Sequence, residues 1–165
     1  MKFLTSIGSL TMACANVPAV AAPPLVVAAA GRWAALRGPA HCEAASLALF
    51  PANPTRAQGR ASLRFDARRA GEFAARLSRE PRAGSSVMLT IGDTPFLLIA
   101  RGSLAWSRGA AQEQAIIAAL RNDGGMRIEA RAANGARFVD RYLLDGAPTA
   151  IDAAAACAAT MPLRR

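Results

Sequence analysis

The chain has 165 residues, 53% hydrophobic yet only 5% aromatic, and a formal net charge of +9 at pH 7. Much of the apolar content is alanine, so the core must come from a few runs of large side chains, and the length suits one domain. Lys2 is the only lysine. A positive surface made of arginine is suited to anionic groups and is equally the mark of a solvated, arginine-rich surface.

The first residues read as an export signal. Met1-Lys2 is a short positive region, residues 3–15 are apolar, and Ala19-Val20-Ala21 fits the small-x-small cleavage pattern. The expected division is a signal peptide over 1–21 and a single exported domain over 22–165; Val20-Ala21-Ala22 is the one-residue alternative. Pro18, Pro23 and Pro24 argue against a membrane anchor running on to residue 30, so no transmembrane segment is expected in the mature chain. Thr11-Met12-Ala13-Cys14 resembles a bacterial lipobox, with Thr11 where leucine is usual. In that alternative Cys14 is lipidated.

Residues 23–31 read as an apolar lead-in, followed by strands over 33–37 and 42–50 and a Pro/Asn/Gly loop to Gly59. Residues 60–68 alternate strictly. Arg60, Ser62, Arg64, Asp66 and Arg68 share one face; Ala61, Leu63, Phe65 and Ala67 share the other, which predicts one wet and one buried side. Residues 72–79 fit a short strand or a helical turn. Two apolar runs, 87–91 and 96–100, flank Gly92-Asp93-Thr94-Pro95 as a hairpin with a four-residue turn, and 104–106 is a brief extended piece.

A helix starts at Ser107 or Gly109, carries Ile116, Ile117 and Leu120 on one stripe, and stops at Gly124-Gly125. Residues 126–132 and 136–144 flank Asn134-Gly135, a hairpin signal of the type I′ kind with positive φ at both turn positions. Pro148 opens an alanine-rich helix to residue 159, with Ala150, Ala154, Cys157 and Met161 on one side. The order predicts an α+β fold: a β-rich single domain, an antiparallel curved sheet or sandwich with two packed helices.

Cys42 and Cys157 remain after cleavage. An oxidising compartment and an even count favour a disulfide between them; two buried free thiols are the alternative. Two cysteines and one histidine cannot supply a four-ligand structural zinc site. No phosphate-binding glycine motif is present, and no cofactor is expected. His41-Cys42 is the one place where a base adjoins a thiol, but neighbours in a strand point to opposite faces, which disfavours catalysis. Asp66, Glu72, Asp140 and Asp145 show no fixed pairing and read as partners for arginine. The best binding candidate is the row Arg60, Arg64 and Arg68, extended by Arg127, Arg131, Arg137 and Arg141 if the strands align. Aromatics are not interleaved with these arginines, so nucleic acid is not an expected partner. The expected partners are an anionic envelope lipid or polysaccharide, or another envelope protein.

From Trp33 to Cys157 the chain resembles the invasion-associated locus B family of bacterial envelope proteins. The resemblance is carried by Trp33, Cys42-Glu43-Ala44-Ala45, Val87-Met88-Leu89-Thr90-Ile91, Asp93-Thr94-Pro95-Phe96, Ala105-Trp106, Ala115-Ile116-Ile117-Ala118-Ala119-Leu120-Arg121, Gly135, Asp140-Arg141-Tyr142-Leu143-Leu144, Gly146 and Cys157. It departs where the family often has a cysteine soon after the first tryptophan; Leu36-Arg37 stands there, and residues 51–84 match no family feature. That missing cysteine leaves the partner of Cys42 open. The resemblance implies a non-enzymatic protein of the periplasm or cell envelope and supplies no catalytic residues. Against it stand two rivals: a small exported hydrolase with an unrecognised site, and an inhibitor or chaperone-like partner of another envelope protein.

Intact-mass analysis of the envelope fraction tests the export signal. The expected mature chain begins at Ala22 or Pro23; retention of residues 1–21, or a diacylated Cys14, would contradict it.

Overall fold

The structure, a computed structural model, describes residues 23–54, 56–122 and 124–162; the expected signal peptide and Cys14 lie outside them. Ten strands are β1 (Leu25–Ala30), β2 (Trp33–Arg37), β3 (Cys42–Leu47), β4 (Arg60–Asp66), β5 (Arg69–Arg76), β6 (Val87–Ile91), β7 (Thr94–Arg101), β8 (Leu104–Trp106), β9 (Gly125–Arg131) and β10 (Arg137–Leu143). The helices are α1 (Ala110–Asn122) and α2 (Ala147–Ala159). Every strand pairing is antiparallel, in the order β1-β2-β3-β4-β5-β8-β7-β6-β9-β10. The expected β-rich α+β domain is therefore present, as an open curved sheet with two packed helices.

Strand register explains the core. Ala35, Ala44, Leu63 and Phe73 lie opposite one another across four strands, and Cys42 lies opposite Phe65. All six are buried. Side chains alternate across a sheet, so one parity of the strands beneath the helices faces them. Helix α2 covers β1 to β4, and α1 covers β5, β6 and β7 and touches α2. The far end of the sheet folds back: the Trp33 indole donates to the Leu143 carbonyl at 2.9 Å, and the Leu49 amide donates to the Arg141 carbonyl at 2.8 Å.

Gly59 sits at this fold-back. A β-carbon there would lie 2.8 Å from Asp140 Oδ2 and 2.9 Å from the Tyr142 hydroxyl. Asp140 is buried and accepts the Ser78 amide at 2.8 Å. Burial and the Asp140 charge push the Tyr142 phenol far above its ordinary pKa, so it stays neutral.

Several local expectations are corrected. Residues 25–30 form a strand; the period-two signal is absent because Leu25, Val26 and Val27 are all exposed and the register shifts between Val26 and Ala28. The undecided segment is a strand, β5, because it pairs with both β4 and β8. The alternating strand ends at Asp66, so Ala67 and Arg68 form an exposed turn. The β6–β7 turn is Gly92-Asp93, shorter than expected, because Thr94 already pairs with Ile91. At the β9–β10 turn Gly135 alone has positive φ, at 82°. The Gly135 amide donates to the Ala132 carbonyl and the Ala132 amide to the Ala136 carbonyl, both at 2.8 Å. This is a three-residue loop with a bulging glycine, in place of the expected type I′ turn.

Phe73→Ala removes a fully buried ring and is expected to cost about 3–5 kcal/mol, whereas Arg64→Ala on the opposite face should stay within about 0.5 kcal/mol. Urea denaturation checks both; equal losses would show that the faces of the sheet are misassigned.

Candidate functional site: an arginine-rimmed cleft

The arginine row is only partly a row. Arg60 pairs with Glu43 at 2.5 Å, and Arg64 stands 3.9 Å from Asp66. Register places Arg64 between Glu43 and Glu72 on the outer face, so acid and base alternate there. Arg68 is off the strand altogether. Arg127, Arg131, Arg137 and Arg141 do not extend the row, because β5, β8, β7 and β6 separate β4 from β9. Arg127 and Arg137 share Glu129, at 3.8 and 2.6 Å. A groove of about 500 Å³ on the β1–β3 side runs past Arg32 and Arg60, whose charge is already met by Glu43.

Arg68 instead joins residues the sequence leaves far apart. A cleft of about 770 Å³ opens between the β4–β5 turn, α1 and α2. The turn is set by Asp66, whose carboxylate accepts the Arg68 amide at 2.9 Å. That bond, then the nearby Arg69 and Arg64 charges, hold the Asp66 carboxyl below its ordinary range. Arg68 and Arg69 thus stand at the mouth. Arg69 contacts Glu72 at 2.5 Å, and Arg68 makes no ion pair among the described residues.

The helices supply the remaining walls. Ile116 and Leu120 point into the core, which turns Ile117 and Arg121, one position on in each case, toward the cleft. On α2 the cleft is lined by Ile151, Ala155, Ala158 and Ala159, with Met161 just beyond the helix. Phe65 lies behind this lining, almost wholly buried. Arg121 bridges to Asp152 of α2 at 2.5 Å, and this bond holds the Asp152 carboxyl below its ordinary range.

The wall formed by α2 is fixed covalently. Cys42 and Cys157 are joined by a disulfide with their Cα atoms 6.0 Å apart, and Met161 Sδ lies 3.6 Å from Cys42 Sγ. Bonded in this way, Cys42 offers no thiol to His41. The imidazole is held below its ordinary pKa by partial burial first and the Arg64 charge next. The four sequence-singled carboxylates do not converge: Asp66 holds its turn, Glu72 takes Arg69, Asp140 is buried on the Ser78 amide, and Asp145 is exposed with its carbonyl on the Arg32 amide at 3.0 Å. Of the expected binding residues, only Arg68 reaches the cleft. Arg69, Arg121, Ile117 and Ile151 were not singled out as a site; the spacing of Ile117 and Arg121 on one helical flank was the available signal.

An open antiparallel sheet carrying two helices on its inner face defines a β-rich α+β class. Within that class, the crystal structure of invasion associated protein B from Bartonella henselae is similar, with a TM-score of 0.62 at 15% identity over 79% of this chain and 96% of that one. The likeness extends to the fold, and at that level the resemblance read from the sequence is borne out. No family model matches the sequence, and no curated protein matches it. Among the described residues no helix is long and apolar enough to cross a membrane.

Closing a loop of 115 positions restricts the unfolded chain by up to about 4–5 kcal/mol. Cys157→Ser is therefore expected to raise hydrogen exchange in α2 well before the sheet opens. Uniform protection in variant and parent, or two freely alkylated thiols in exported protein, would contradict this.

Proposed function

We propose that this is an exported, non-catalytic protein of the periplasm or cell envelope that binds an anionic partner at the cleft. The observation that carries the reading is the convergence of Arg68, Arg69 and Arg121 on one apolar cleft. Arg68 makes no ion pair among the described residues, whereas Arg69 and Arg121 are met by Glu72 and Asp152, and Arg60 and Arg64 on the outer face by Glu43 and Asp66. In this reading the partner meets the β4–β5 turn and not the sheet face expected from the sequence. Export is supported by the composition of residues 1–21 and by the Cys42–Cys157 disulfide, which persists in oxidising compartments. The similar fold belongs to a protein described as invasion associated; that description is not carried over to this chain.

The non-catalytic reading is supported by the chemistry of the lining. Its one carboxylate, Asp66, is engaged by the Arg68 amide, and the rest of the lining is apolar or arginine. General acid–base work needs a group free to exchange a proton with substrate, and nucleophilic work needs an activated hydroxyl, thiol or amine.

Vesicles containing phosphatidylglycerol should bind the mature protein in low salt and release it in high salt, while phosphatidylcholine vesicles should not bind it. Each arginine near an anionic surface contributes about 1 kcal/mol, so Arg68→Glu with Arg121→Glu should weaken binding at least about tenfold. Equal binding to both vesicle types, or an unaffected double variant, would overturn the proposal.

A further inference from the structure

We infer that the cleft takes a single-chain anionic amphiphile, its hydrocarbon tail on the floor and its charged head at Arg68. The inference deepens the anionic-partner reading and rests on it. The polar side chains of the lining come from the β4–β5 segment, Asp66, Arg68 and Arg69, and from Arg121. Ile117, Ala155, Ala159 and Met161 supply the accessible apolar floor, with Phe65, Ile151 and Ala158 buried behind them. None of those floor side chains donates a conventional hydrogen bond, so a sugar laid there would lose its hydrogen bonds to water without replacement. A bare inorganic anion would use the rim and leave the apolar floor wet. Hydrocarbon gains from covering that floor, and a single negative head completes the ligand.

Size and charge agree with one chain. The volume of about 770 Å³ lies within the roughly 300–1,000 Å³ of sites that enclose small organic molecules. Arg69 and Arg121 are each already held by a carboxylate, Glu72 and Asp152, whereas Arg68 makes no ion pair among the described residues. The head is therefore recognised by Arg68, because Glu72 and Asp152 offset the charges of the other two. Arg68 is exposed at the turn, so the head stays at the solvent boundary while the tail is covered.

Titration calorimetry with inorganic phosphate, octyl phosphate, dodecyl phosphate and the neutral dodecyl maltoside, all below micelle formation, tests the inference. Dodecyl phosphate should bind most tightly, with affinity rising about fourfold per added methylene as the floor is covered. Arg68→Glu should weaken dodecyl phosphate at least about tenfold. Ala155→Trp should fill the cleft and abolish the dependence on chain length, and a melting curve matching the parent confirms that this variant is folded. Ile117→Ser, which opens the floor, provides the same readout should the tryptophan variant fail to fold. Equal affinity for inorganic and dodecyl phosphate would overturn the tail site and leave the anionic-partner reading standing. Equal affinity for dodecyl maltoside and dodecyl phosphate would overturn the head contact. Failure of every phosphate to bind would overturn both this inference and the reading beneath it.

Discussion

Helix α2 lies on the sheet through small side chains. Its buried face consists of Ala147, Ala150, Ile151, Ala154, Cys157 and Ala158, and the strands beneath it offer Ala35 and Ala44. Alanine against alanine permits close approach but removes little apolar area from water, and hydrophobic stabilisation scales with that area. The disulfide to Cys42 offsets the deficit by tying the end of the helix to the third strand. The position of α2 in turn sets the core over β1 to β4, the seat of Met161 and one whole wall of the cleft.

The positive charge is arranged unevenly for a related reason. In the middle of a sheet, register places side chains from neighbouring strands directly opposite one another. Like charges there would repel, and the column Glu43, Arg64, Glu72 alternates in sign. At the β4–β5 turn the two strands end, so cross-strand register no longer applies to Arg68. Arg68 and Arg69 stand together at the β4–β5 turn, and α1 brings Arg121 to the same opening. The arginine left without an ion pair among the described residues, Arg68, thus stands where β4 turns into β5.

Asp140, Tyr142 and Gly59 show how the opposite side is secured. The curved sheet returns on itself near β10, and Gly59 has room there only because it lacks a side chain. The carboxylate of Asp140 organises the Ser78 amide at that seam, far from the cleft's lining. An acidic residue that stood out in the sequence is therefore part of the scaffold.

Elements with a local signal were legible in the amino-acid pattern. Strict alternation marked β4 through Asp66, apolar runs located β6 and most of β7, and Ile116 with Leu120 marked the buried stripe of α1. Alternation failed for β1, whose exposed Leu25, Val26 and Val27 carry no period, and composition could not distinguish a strand from a turn at β5. In each case pairing with a neighbouring strand supplied what the local pattern lacked. The cleft belongs wholly to this second kind: Phe65, Arg68, Ile117, Arg121, Ile151 and Met161 come from one strand, one turn, two helices and the segment just past α2. Only the strand order and the seating of α2 brought them together, because a charge pattern along one strand says nothing about which helix will cover its end.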